Sequence, residues 1–387
     1  MRSGVSTKPT SVSRGLRGVA VAETRIGDVR GQEGFYHYRQ YDAVELAEKL
    51  SFEAVWHLVH QGDLPSATEL GQFSRSVSSL RDVSGPLLEM LRFVASTVPS
   101  DRPLEALRAA LSILVPMERH RPWIDLLEAD RQRAALRLCA VTPVIVASLY
   151  RLGSGREPVP PDPELGFAAN YLWMLEGTRV APDRVRALEQ YLILTIDHGF
   201  NASTFTTRVI TSTGADLGSA VIGAIGALSG PLHGGAPSRA LEMVDHIGAA
   251  DRIDAYIEAA LSHGDRLMGF GHPVYRTEDP RSRMLRGVAE HLGGARVALA
   301  KQVEARALEL LREHRPERQL HTNVEFYAAL VMESVGLPPN LFTPTFVVSR
   351  MIGWTAHALE QMLDNQVIRP SAAYVGPEPH RTVPRAS

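Results

Sequence analysis

The sequence has almost no lysine and a single cysteine, and each scarcity removes a class of chemistry. Lysine occurs only at Lys8, Lys49 and Lys301. Schiff-base catalysis therefore has three candidates, one in the N-terminal tail and two in amphipathic patterns that suit a solvated helix face. Cys139, between Leu138 and Ala140, excludes a disulfide framework and any multi-thiolate metal centre, and its apolar setting predicts a buried thiol. Charge of one sign is not in excess: the formal net charge is -2, so no basic field exists to hold nucleic acid. The charge-free stretch from Leu217 to Leu232 is about one turn short of a membrane span and is interrupted by glycine and serine, which predicts a soluble chain. Also missing are HExxH, a P-loop, GxGxxG and a nucleophile elbow, and with them the metal, nucleotide and hydrolase chemistries those motifs serve.

What is present is mostly helical. Val44, Ala47 and Leu50, then Val55, Leu58 and Val59, recur at three- and four-residue steps and stop at Gly62 and Leu64-Pro65. Val185, Leu188, Leu192 and Thr195 repeat the pattern, entered at Pro182-Asp183 and predicted to close at Gly199, just after His198. Alternating strand runs are few. Arg151 to Pro163, rich in glycine and proline, predicts a long connection, and no short-period repeat is present. Residues 1–17 hold Arg2, Lys8, Arg14 and Arg17 with many Ser and Thr and no acid. That composition suits a short transit peptide, but the segment lacks a clear amphipathic face and reads better as a disordered tail. A Pro- and Arg-rich tail begins at Gly376.

Two histidines stand in glycine-hinged turns, His233 in Gly230-Pro231-Leu232-His233-Gly234-Gly235 and His272 in Gly269-Phe270-Gly271-His272-Pro273, and a carboxylate follows at Asn323-Val324-Glu325. Glycine beside a titratable side chain permits unusual backbone dihedrals and close approach of a ligand. Pro231 ends one apolar helix and Ala236-Pro237-Ser238 opens another, so His233 precedes a helix N-terminus whose positive end favours a neutral imidazole. A neutral imidazole that donates a hydrogen bond can stabilise an oxyanion or enolate, as in triosephosphate isomerase; the bland reading is a histidine satisfied by nearby backbone. His272, followed by Arg276 and Asp279-Pro280-Arg281, can bind a carboxylated substrate while protonating or polarising it, unless the loop is only solvated and basic. His198, before Gly199-Phe200-Asn201, reads first as a cation complementing a helix C-terminus. Thr322-Asn323-Val324-Glu325 has the form of a capping box, and on the motif alone capping outweighs catalysis. Arg350, in the apolar run Phe346-Val347-Val348-Ser349-Arg350, requires a buried anion or a bound ligand. Abundant arginine suits an acidic substrate.

Together, Gly230-Pro231-Leu232-His233-Gly234-Gly235-Ala236, Met268-Gly269-Phe270-Gly271-His272-Pro273-Val274-Tyr275-Arg276, Asp279-Pro280-Arg281 and Thr322-Asn323-Val324-Glu325-Phe326-Tyr327 resemble citrate synthase in order and spacing, from about Gly15 to Arg369-Pro370-Ser371. The chain resembles the short bacterial forms, which lack an added regulatory domain. The resemblance implies an all-α, cytoplasmic homodimer. It implies a large domain of 18–233 and 332–375, a small domain of 234–331, an active site in the cleft between them, and flexible tails at 1–17 and 376–387. By the same resemblance His233 hydrogen-bonds the thioester oxygen of acetyl-CoA, His272 polarises or protonates the ketone of oxaloacetate, and Glu325 stands where the base removes a methyl proton. His198, Arg281 and Arg350 match oxaloacetate-binding positions, and Arg369 matches an arginine delivered from the partner subunit. The backbone of Leu267, Met268, Gly269, Phe270 and Gly271 matches the stretch that recognises the CoA adenine, and Arg276 matches a phosphate contact. Acetyl-CoA is a co-substrate; no metal and no permanently bound cofactor is implied.

One position departs from the pattern: the family usually has aspartate where this chain has Glu325. The reference pKa values are about 4.3 and about 3.9, so basicity barely changes, while reach grows by one methylene. The expectation is an active enzyme with a re-spaced base, ahead of an inactive or altered relative. The nearest rival is 2-methylcitrate synthase acting on propionyl-CoA, because one methylene changes pocket discrimination by only about 1 to 3 kcal/mol. A noncatalytic acyl-CoA or dicarboxylate sensor is the rival from another class, and a histidine-based metal protein the weakest.

Overall fold

The computed structural model describes residues 12–377 and 382–383 apart from 17, 232, 235, 273 and 318. The outer parts of both expected tails therefore lie outside the described residues, although a single 3-10 turn at Arg14–Leu16 falls within the first. A small antiparallel sheet comes first: β1 (Gly27–Arg30), β2 (Phe35–Tyr38) and β3 (Tyr41–Asp42), in the order β1-β2-β3. Gly27 faces Tyr38, Arg30 faces Phe35, and His37 faces Asp42.

Sixteen α-helices follow among the described residues. They are α1 (Ala43–Lys49), α2 (Phe52–Gln61), α3 (Ala67–Ser79), α4 (Gly85–Thr97), α5 (Pro103–Met117), α6 (Glu128–Gly153), α7 (Phe167–Glu176) and α8 (Pro182–Thr195). Then come α9 (Ala202–Ser212), α10 (Leu217–Leu228), α11 (Ala236–Ile247), α12 (Ile253–His263), α13 (Pro280–Leu292), α14 (Ala295–His314), α15 (Val324–Ser334) and α16 (Phe342–Leu363). The fold is all-α in class.

Local chemistry sets the boundaries. Asp42 caps α1 by accepting from Val44 N and Glu45 N at 2.7 and 3.0 Å, and Ser51 caps α2, so the periodic run is two helices. Gly62, at φ 102, closes the second in a left-handed conformation that favours glycine. α8 ends at Thr195, short of the Gly199 that the sequence predicts as its stop. The Gly/Pro-rich connection begins only after Gly153, because α6 runs through Arg151.

The core forms around α6 and α16. α6 is buried continuously from Leu138 to Leu149 and packs on α4, α5, α7 and α16, while α16 also packs on α8, α9 and α10. α6 has the length and apolarity of a membrane span, but 72% of that window is buried inside the protein, as befits the central helix of a bundle. Cys139 is buried within it and shares a 3.3 Å contact with the Thr355 hydroxyl; burial pushes its thiol up to about 12. Lys49 and Lys301 are exposed and pair with Glu45 and Glu290 at 2.5 and 2.8 Å, the solvated role expected of them. On α16 a Cβ at Gly353 would stand 2.2 Å from the Ile196 carbonyl oxygen. Only glycine admits that approach of the segment after α8.

Candidate active site

A cleft of about 1100 Å³ opens where the C-terminal side of α8, the start of α9 and the first half of α16 face the segments that lead into α11, α13 and α15. Its walls bring together His198, His233, His272, Arg281, Glu325, Arg350 and the stretch Leu267, Met268, Gly269, Phe270 and Gly271. Two expected residues stand apart from it. Arg276 is exposed and borders a smaller neighbouring pocket of about 460 Å³, and Arg369 is exposed in the extended segment that follows α16.

One side of the cleft is densely bonded. Arg281 is 4% exposed and donates from Nε and Nη2 to the two oxygens of Asp279 at 3.0 and 2.8 Å, a bidentate geometry that fixes the guanidinium plane. Asp279 also caps α13 through Arg281 N at 3.0 Å and accepts from Val324 N at 3.2 Å. His272 Nδ1 accepts from the backbone N–H groups of Val274 and Tyr275 at 3.0 and 3.1 Å. Backbone N–H groups only donate, so the two shorter bonds assign the ring proton to Nε2, and the Arg281 Nη2 that lies 3.4 Å from Nε2 is then a neighbour and not a hydrogen-bond donor to it. Burial, then Arg281, depresses the His272 pKa to about 4; the group is a neutral donor at physiological pH.

His198 Nε2 lies 3.0 Å from the Tyr275 hydroxyl, and its ring centroid 5.6 Å from that of His272. Burial, followed by the proximity of Arg281, His272 and Arg350, holds its pKa well below the ordinary value. The reading of His198 as a helix-capping cation is therefore wrong: α8 has already ended, and three basic neighbours penalise a further charge. Arg350, 2% exposed, donates Nε to Thr195 O at 2.9 Å and lies 4.6 Å over the Phe346 ring. Asp197 supplies the buried carboxylate nearby. It accepts from His357 Nε2 and Gly199 N at 3.2 Å each, and His357 Nδ1 in turn accepts from Arg208. Burial opposes ionisation of Asp197, but His357 and Arg350 outweigh it and keep its pKa below the usual value.

The other side is sparsely bonded. His233 Nε2 lies 2.9 Å from Ser203 Oγ and accepts from Ser203 N at 3.3 Å, which assigns the proton to Nδ1. The ring thus meets the start of α9, where Asn201 is the cap, a helix end that the sequence did not suggest. Burial, then Arg350, lowers the His233 pKa to about 4. A Cβ at Gly234 would lie 2.4 Å from Leu228 O, so the crowding expected of this turn is present.

Glu325 lies in the first turn of α15, but the capping box is absent. Asn323 is the cap, accepting from Glu325 N at 3.0 Å; the Thr322 hydroxyl is occupied by Glu304 Oε1 at 2.5 Å. Among the described residues the Glu325 carboxylate has no hydrogen-bond partner. Burial, abetted by Asp279 and opposed by Arg281, raises its pKa to about 7, the range in which a general base works best at neutral pH.

The stretch 267–271 is joined to the approach of α15. Phe270 and Thr322 form an isolated antiparallel bridge. Gly271 N donates to His321 O and Asn323 N to Gly269 O at 2.8 Å each, while Asn323 Nδ2 reaches Gly271 O at 2.9 Å. Gly269 and Gly271 both sit at φ 85, the left-handed conformation that their turn requires. Asn323, Asp279, Tyr275 and Ser203 thus shape the site although sequence reasoning gave none of them a role. Asp279, Tyr275 and Asn323 lie inside motifs noted in the sequence and Ser203 two residues past a helix-capping Asn201, but nothing local showed which groups they bond.

Residues 15–371 match the family model described as citrate synthase, C-terminal domain. The chain is 35% identical to the citrate synthase of Acidithiobacillus ferridurans over 96% of this chain and 97% of that protein, and 36% identical to citrate synthase 2 of Bacillus subtilis over 97% and 98%. Among solved structures, the citrate synthase of Pyrobaculum aerophilum superposes with a TM-score of 0.85 at 34% identity, covering 97% of this chain and 95% of that one. The Thermoplasma acidophilum citrate synthase, in ternary complex with carboxymethyl coenzyme A and oxaloacetate, superposes with a TM-score of 0.88 at 27% identity over 97% of this chain and 99% of that one. The chain belongs to the citrate synthase family.

Proposed function

We propose how this cleft carries out the family's reaction, the condensation of acetyl-CoA with oxaloacetate and the hydrolysis of citryl-CoA to citrate and CoA. Glu325 takes a proton from the acetyl methyl group. His233, neutral and with its proton on Nδ1, donates to the thioester oxygen and stabilises the enolate as charge develops there. The nucleophilic carbon then attacks the ketone of oxaloacetate, which His272 polarises through Nε2–H; as the C–C bond forms the C=O π bond breaks, and the alkoxide takes the Nε2 proton, balanced by the proton that Glu325 has gained. With a pKa near 4, His272 acts as a neutral hydrogen-bond donor in the ground state. Arg281, Arg350 and His198 bind the two carboxylates, and the bidentate preference of arginine suits guanidinium groups gathered there. Water then hydrolyses the citryl thioester.

The observation that carries the assignment is the Glu325 carboxylate: it lacks a protein partner among the described residues, has a pKa near 7 and shares one cleft with two neutral histidines. Residues 267–271 receive the CoA adenine and Arg276 a phosphate, with acetyl-CoA bound only as a co-substrate and no resident metal or cofactor used. The large unit of 18–233 and 332–375 closes on the small unit of 234–331, excluding water during carbon–carbon bond formation. The exposure of Arg369 fits a residue that serves the cleft of a second subunit in a cytoplasmic homodimer. A thiol-release assay with acetyl-CoA and with propionyl-CoA, each with and without oxaloacetate, tests the reading. CoA release that needs oxaloacetate and favours the acetyl donor is expected; a propionyl preference or no release overturns it.

A further inference from the structure

The steps above use nothing from the N-terminal sheet, yet that sheet is wedged between the two stretches of chain that bear the dicarboxylate ligands. Tyr36, on β2, is 1% exposed. Its ring centroid lies 5.5 Å from that of His198, the Arg281 guanidinium lies 5.9 Å from it, and its hydroxyl donates to Leu194 O at 3.1 Å. Tyr38, two residues on and so on the same strand face, repeats the anchorage. It donates to Ile193 O at 2.9 Å and accepts from Asp197 N at 3.3 Å. The tip of the same hairpin grips the other stretch: Gly31 O accepts from Arg276 N at 3.0 Å, and a Cβ at Gly31 would stand 2.3 Å from Val274 O.

We propose that this hairpin is a positioning element of the dicarboxylate pocket, with Tyr36 holding His198 and Arg281 in register and Gly31 fixing the turn after His272; the proposal rests on the assignment of those three ligands to oxaloacetate. Asp279 fixes one edge of the Arg281 guanidinium, and the aromatic face of Tyr36 restricts its remaining freedom by cation–π attraction. The same ring packs against the His198 imidazole, so one side chain sets the distance between a ligand that follows α8 and a ligand at the start of α13. Tyr38 and the Gly31 joint keep that side chain from drifting with either stretch alone.

The test measures oxaloacetate binding by calorimetry on the full chain without CoA, and the KM of each substrate by thiol release. Tyr36→Leu removes the ring and is expected to raise the oxaloacetate Kd and KM roughly tenfold while the acetyl-CoA KM holds; Tyr36→Phe, which loses only the Leu194 bond, recovers most of that loss. Gly31→Ala pushes the turn off Val274 O from outside the core and is expected to weaken oxaloacetate more than acetyl-CoA, whose phosphate contact Arg276 is bonded to the same joint, so it decides the matter if Tyr36→Leu does not fold. Equal weakening of both substrates, or unchanged oxaloacetate affinity in the folded variants, overturns the proposal. A parent protein that binds oxaloacetate but releases no CoA defeats the functional reading instead, and the binding constants still decide the role of the hairpin.

Discussion

The two walls of the cleft are built on opposite principles. On the wall of Arg281, His272 and His198 every charged or titratable group is held by the protein: Arg281 by Asp279, His272 by two backbone amides, His198 by Tyr275. On the wall of His233 and Glu325 the histidine has one anchor, Ser203, and the carboxylate has none among the described residues. The first arrangement suits recognition, because donors fixed in advance lose little freedom when a dicarboxylate arrives. The second suits proton transfer. A carboxylate bonded to amides or paired with arginine would have its pKa driven down, and the base would be too weak for a carbon acid. Burial without a partner keeps Glu325 near 7 instead.

The largest effect that would break this contrast is Glu325→Gln. Turnover is expected to fall by about a thousandfold or more, in the upper range for loss of a general base, while calorimetry finds oxaloacetate binding unchanged because the bonded wall is intact. Near-normal turnover would remove Glu325 from the chemistry. Glu325→Asp keeps the charge and shortens the reach by one methylene; a misplacement near 1 Å predicts a loss of about a hundredfold in kcat, and an unaltered kcat would show that the backbone accommodates either length. The pH profile is gentler. With a base near 7, kcat/KM for acetyl-CoA is expected to drop about tenfold per pH unit on the acid side of 7, whereas a plateau extending to pH 5 would mean that Glu325 is paired in solution.

The smallest effect is thermal. A carboxyl whose folded pKa is raised favours the folded state below its unfolded value of about 4.3, and that advantage is lost as pH rises through about 7. Glu325→Gln cannot ionise, so it should melt a few degrees above the parent at pH 8 and level with it at pH 4. Equal melting temperatures at both pH values would mean that the carboxylate is well solvated.

Much of this was legible in the chain, and the remainder failed for identifiable reasons. Three- and four-residue apolar steps located the helices, and the glycine-flanked histidines pointed to the cleft because unusual backbone is locally encoded. The register of the cap at α15 was misjudged by one residue, since Thr322 is drawn away by Glu304, a partner from α14 that no local motif reveals. His198 was misread because its environment is set by Arg281 and Arg350, distant in sequence. The hairpin went unseen because strands of four residues or fewer carry too little alternation to stand out, and its tyrosines acquire meaning only through contacts more than 150 residues away.

Gly353 draws the last consequence. It lies one turn along α16 from Arg350, and the hydrogen atom in place of a side chain lets the Ile196 carbonyl rest against the helix. The neighbouring carbonyl of Thr195 is the one that takes the Arg350 Nε–H, and His198 is two residues beyond Ile196. The spacing between an arginine and a histidine that grip one small molecule is thus gauged by an atom the chain does not possess. Adding a single methyl group there would act as a shim, widening the grip without touching either gripping residue.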